Sequence, residues 1–148
     1  MAYLLSTEAL LDFIAKYPDG PVAKWAASVP QQYINISVIS VAQAEIAINE
    51  LAPDDPNRAP LTTNFEFVRA IAQSEDRLRD VDGAAAGRWA TIAPLDLRRK
   101  DGSALGTDTR MVVATALAHD LTLVVARDLW TDALKGHGLR IVDPFSGS

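Results

Sequence analysis

Glu45 is the residue here whose surroundings most demand a partner. It lies in VAQAEIAINEL, where Val41, Glu45, Ile48 and Ala52 share one helical face whose other members are apolar. A carboxylate buried there is costly unless a cation, a metal ion or a hydrogen-bond network satisfies it. Otherwise it sits at the edge of the stripe and reaches to water. Asp128 directly follows the apolar run LTLVVA, in VARDLW. It either adds a carboxylate at the carboxyl end of a strand or caps a helix beginning at Leu129. Asp108 and Thr109 open the apolar stretch GTDTRMVVATAL. Either can be the N-cap of that helix, and the positive end of the helix dipole favours Asp108. Ser6 ends YLLS ahead of another helix, and Glu8 lies two residues on. In α/β proteins ligands bind at the carboxyl edge of the sheet. A hydroxyl therefore stands where a metal-binding carboxylate is sought.

The remaining polar residues point elsewhere. His119 and His137 flank turns far from these acids and are expected at the surface or at strand ends. No nucleophile is matched with a base, so a serine-triad hydrolase finds no support, and there is no glycine-rich phosphate loop. Trp25, Trp89 and Trp130 fit a core or an interface better than a base-stacking platform. The cluster Arg98-Arg99-Lys100 lies beside Asp101-Gly102 in a loop, where it is either solvated or touches a phosphate backbone.

The elements that position these residues alternate. Tyr3–Leu5 reads as a buried strand and Glu8–Lys16 as a helix. After the turn Pro18–Pro21, VAKWAAS reads as a short helix, and QYINISV is rich in β-branched and aromatic residues, as strands are. A helix is expected from Ser40, then a proline-punctuated loop over 52–60 and a helix over 64–77. DGAAAGRWATI is a helix with small side chains, so a neighbour packs closely on it. Residues 95–105 form a charged loop, and 108–119 a helix apolar nearly all round and hence buried. LTLVVA is a strand for the middle of a parallel sheet. A short helix and a strand over 139–142 come next, and the closing FSGS is expected to fray. This alternation predicts an α/β sandwich around a parallel sheet.

The 148 residues suit one domain with its own core. With no cysteine there is neither a disulfide framework nor thiolate chemistry, which fits a reducing, cytoplasmic setting. No apolar run approaches a membrane span, and no signal-peptide layout is visible. The net charge of −5 argues against a non-specific nucleic-acid binder. RNA binding would then need a local basic patch or a metal bridging carboxylates to phosphate.

From Tyr3 to Phe145 the chain resembles the VapC toxins, the PIN-domain ribonucleases of bacterial toxin–antitoxin pairs. The similarity is carried by YLLSTEALLDF, INISVISVAQAEI, RWATI, ATALAHDLTLVVARD and the closing VDPF. It implies one PIN-like domain, a three-layer sandwich whose central parallel sheet is flanked by helices, and a homodimer. It also implies an acidic cluster binding Mg²⁺ or Mn²⁺ for endoribonuclease chemistry, and a VapB-like antitoxin covering that site.

Carried over position by position, the family's first Asp falls on Ser6 and its nearby Asn on Glu8. The second acid falls on Glu45. The third falls on Thr109, with Asp108 one residue early. The fourth falls on Asp128, and a further downstream acid on Thr131, beside Asp132. Two acids are kept, Glu45 and Asp128, and two have become hydroxyls, Ser6 and Thr109. Hard divalent cations need charged oxygen ligands. The expectation is thus a catalytically impaired homologue that binds an antitoxin partner or RNA. The alternative is an active Mg²⁺- or Mn²⁺-dependent toxin in which Glu8 and Asp108 rebuild the site with Glu45 and Asp128. A plain α/β interaction module is the third reading.

Overall fold

The computed structural model describes residues 1–146. Five strands form one parallel sheet: β1 (Tyr3–Leu5), β2 (Ile34–Ser37), β3 (Leu78–Arg79), β4 (Thr122–Val124) and β5 (Ile141–Val142). Their order is β3-β2-β1-β4-β5. The helices among the described residues are α1 (Thr7–Lys16), α2 (Pro21–Ala27), α3 (Val38–Asn49), α4 (Arg58–Ser74), α5 (Gly83–Ile92), α6 (Thr107–Ala118) and α7 (Leu129–Ala133).

The central strands are buried on both faces, and side-chain alternation divides their residues between two cores. Leu4 and Leu123 enter one core, with Ile92 of α5, Val112 and Val113 of α6, Trp130 of α7 and Leu134 just beyond it. Leu5 and Val124 enter the other, with Leu10, Ile14, Ile48 and Phe65 from α1, α3 and α4. The result is the three-layer α/β sandwich that the sequence predicts. The small residues of α5 lie against α6, which is buried over Val112–Ala116.

Several boundaries differ from expectation. α3 starts at Val38 rather than Ser40, because the Ser37 hydroxyl caps it by accepting from Ile39 N at 3.1 Å. α4 starts at Arg58, inside the expected loop; Pro60 lies in its first turn, where a missing N–H costs nothing. β3 has no counterpart in the sequence reading, since two residues carry no periodicity. Of the closing FSGS, Phe145 packs against the second core instead of fraying; Gly147 and Ser148 lie outside the described residues. No helix among the described residues is long and apolar enough to cross a membrane.

Candidate active-site cavity

The chain leaves β1 toward β2 and β3 on one side and returns to β4 and β5 on the other. The strand order therefore reverses between β1 and β4, which pair in parallel. Such a reversal opens a crevice at the carboxyl ends of the two strands. A cavity of about 330 Å³ lies there, lined by Ser6 and Glu8 after β1, Gln43 of α3, Asp108 and Thr109 of α6, and Arg99. Its apolar lining includes Leu123, Val125, Val113 and Trp130.

Most of the polar wall residues have a local reason to be there. Ser6 is the N-cap of α1, its hydroxyl accepting from Ala9 N at 3.1 Å. Thr7 donates its hydroxyl to Ser40 Oγ of α3 at 3.2 Å. Glu8 Oε1 accepts from Ala126 N at 3.0 Å, joining α1 to the chain leaving β4. Gln43 Nε2 donates to Asp108 Oδ2, linking α3 to the first turn of α6.

The structure brings Ser6, Glu8, Asp108 and Thr109 together, as four sequence candidates for one site. It does not bring Glu45 or Asp128 to the cavity lining. Glu45 is exposed, because the buried face of α3 runs through Ser40, Ala44 and Ile48. The face expected through Val41, Glu45, Ile48 and Ala52 thus corrects to one that shares Ile48 but takes Ser40 and Ala44 in place of Val41 and Glu45. Asp128 is the N-cap of α7: its Oδ1 accepts from Leu129 N at 2.6 Å and from Lys100 N at 2.8 Å, and Thr131 completes the capping box. Thr131 is buried in that cap, and Asp132 is exposed between Arg127 and Lys135.

Gln43 and Arg99 are cavity residues that the sequence reading does not place there. α3 is apolar on most sides, so periodicity cannot select its inward face, and spacing favours Glu45 over Gln43. Arg99 belongs to a charged loop that folds back as a hairpin, Arg98 pairing antiparallel with Ala104; the Asp101-Gly102 dipeptide is the turn signal that could have found it. Trp130 is a core residue, and Trp25 is half-buried against Tyr3, as expected. His119, at the end of α6, pairs through Nε2 with Asp82 Oδ2 at 2.7 Å.

The donor set is sparse for a Mg²⁺ or Mn²⁺ centre, which is held by at least one or two available carboxylates with waters and substrate phosphates completing the shell. The cavity offers two carboxylates, each already bonded to a protein donor, together with neutral hydroxyls and an amide. Arg99 adds positive charge. Among the described residues, no three His, Cys, Asp or Glu side chains converge as a metal site.

No known family profile matches the chain, and no curated protein does. Solved structures do. FitAcB from Neisseria gonorrhoeae is 19% identical, with 97% of this chain and 98% of that chain covered at a TM-score of 0.71. VapBC2 from Rickettsia felis, bound to a promoter DNA fragment, is 18% identical over 97% and 98% at 0.70. VapBC-5 from Mycobacterium tuberculosis, a member of the VapBC family of toxin–antitoxin systems, is 20% identical over 96% of each chain at 0.60. At these identities the likeness is one of fold: the chain has the fold of the VapC-like toxins along nearly its whole length.

Proposed function

We propose that this chain is a VapC-like toxin homologue that has given up metal-dependent RNA cleavage and acts in the cytoplasm by binding, with a VapB-like antitoxin as its partner. The observation that carries this is the cavity chemistry: Ser6, Gln43 and Thr109 are neutral, and only Glu8 and Asp108 are acids. The solved structures sharing the fold are toxin–antitoxin systems, which supports the partner class. So does a second, mainly apolar cavity of about 240 Å³ lined from α1, α2, α4 and β2. Tyr17 and Phe67, 59% and 67% exposed, border it and suit apolar side chains of a bound peptide. A homodimer fits the same reading.

The test is calorimetric titration of Mn²⁺ into wild type and into a Ser6→Asp/Gln43→Glu/Thr109→Asp variant. Asp is as good an N-cap as Ser, so α1 should persist. Wild type should give no saturable binding and the variant should gain it. Tight wild-type binding would contradict the reading, and so would a folded variant that binds nothing. One observation favours the active-toxin alternative: the two acids that line the cavity, Glu8 and Asp108, are the two expected to rebuild it. In that case Glu8→Gln and Asp108→Asn would each abolish Mn²⁺ binding by wild type.

A further inference from the structure

The cavity wall carries charges of both signs that do not meet. Glu8, Asp108 and Arg99 line the same space. Among the described residues, the Arg99 guanidinium has no hydrogen-bonded acceptor and no carboxylate within ion-pair distance, whereas Arg98 is bound to Asp96 at 2.8 Å. The backbone under Arg99 is fixed by the 97–105 hairpin. Arg99 N donates to Ser103 O and Gly102 N to Arg99 O, both at 2.9 Å. Asp128 accepts from Lys100 N at 2.8 Å, which anchors the next residue.

The acids are held in place as well. Glu8 gives one oxygen to Ala126 N at 3.0 Å, and Asp108 gives one to Gln43. The second oxygen of each, Glu8 Oε2 and Asp108 Oδ1, receives no donor among the described residues. The rest of the lining is largely apolar and includes Leu11, Val112, Leu123 and Trp130. Fixed charges of both signs beside an apolar wall are matched by a molecule that carries both charges and an apolar body. At about 330 Å³ the cavity lies at the small end of the roughly 300–1,000 Å³ typical of small-molecule sites.

We propose that the cavity binds a free α-amino acid with an apolar side chain. Arg99 takes the carboxylate, Glu8 and Asp108 share the ammonium, and the apolar lining takes the side chain. An ammonium has three donors and serves both acids. An apolar acid would meet Arg99 but leave two carboxylates facing its own charge, and an apolar amine would leave Arg99 unmatched. The interior of a peptide brings neither charge. This assignment goes beyond the toxin-homologue reading and rests on it at one point, that no metal ion occupies the two acids.

The test is calorimetric titration of L-leucine, L-methionine and L-phenylalanine, each in EDTA. At least one should bind saturably to wild type. The matching analogues without the ammonium or without the carboxylate, isocaproate and isopentylamine for leucine, should bind about tenfold more weakly or worse. The N-acetylated amide of the bound amino acid, which has neither charge, should not bind. Arg99→Ala should weaken the amino acid about tenfold and leave the amine analogue unchanged. Glu8→Gln should weaken the amino acid and leave the acid analogue unchanged or tighter. Arg88→Ala, exposed on α5, should bind as wild type does. A folded wild type that binds none of the three overturns the amino-acid assignment and leaves the loss of metal chemistry standing. Equal binding of the N-acetylated amide gives the cavity to a peptide segment and overturns the assignment too. Binding that needs Mn²⁺ and vanishes in Glu8→Gln overturns the loss of metal chemistry as well.

Discussion

Arg110 shows how a single residue can join the helices around this site. It is buried in α6, and its Nε donates to Leu105 O at 3.0 Å. Nη1 donates to Ile92 O at 2.8 Å and to Leu95 O at 3.0 Å. The guanidinium thus meets the free carbonyls at the end of α5, where the helix dipole favours a cation. Arg110→Ala strands those buried carbonyls and should cost on the order of 3 kcal/mol in urea unfolding. Arg110→Lys should recover little, since an ammonium lacks the fork that reaches several acceptors at once. Among single residues the sequence is legible at junctions. Ser6, Glu8, Asp108 and Thr109 stand where a strand or a loop gives way to a helix, and such boundaries fix direction. Glu45 sits inside a helix apolar on most sides, where spacing alone selects the wrong face.

Among the elements, α5 and α6 are joined by a carboxylate as well as by packing. Asp82 caps α5, its Oδ1 accepting from Ala85 N at 2.9 Å, and its Oδ2 meets His119 at the end of α6. The Ala85 N–H, foremost, and then His119 hold its pKa below the ordinary carboxylate value. A lowered folded pKa means that the unfolded chain binds the proton more readily. The stability it contributes is therefore complete at neutral pH and is lost as pH falls through the ordinary carboxylate range and on through the folded pKa. Asp82→Asn keeps a cap but cannot titrate there. Its unfolding midpoint should fall less steeply than that of wild type between neutral pH and roughly pH 3. A parallel decline in both chains would mean that Asp82 is not linked to folding. The long helices and the central strands are readable from composition and periodicity. β3 is not, because it is two residues long and depends on β2, distant in sequence, and the 97–105 hairpin is marked only by its Asp101-Gly102 turn, inside a charged stretch without strand periodicity.

In the molecule as a whole, the crevice is a product of topology. Wherever strand order reverses beside β1, the carboxyl ends of β1 and β4 diverge and leave space. That space does not depend on which side chains line it, so one scaffold can host different chemistries. Here the position after β1 holds a hydroxyl that caps α1, and Arg99 lines the wall. On the proposed reading, such a scaffold binds and does not cut. One assay decides the matter: RNA cleavage by the purified, partner-free chain with Mn²⁺, beside Glu8→Gln, Glu45→Gln and the Ser6→Asp/Gln43→Glu/Thr109→Asp variant. Wild type should cleave nothing, neither should either single variant, and the restored chain should cleave. Cleavage by wild type that disappears in Glu8→Gln and survives in Glu45→Gln would contradict this and would mean that the cavity acids have rebuilt an active site.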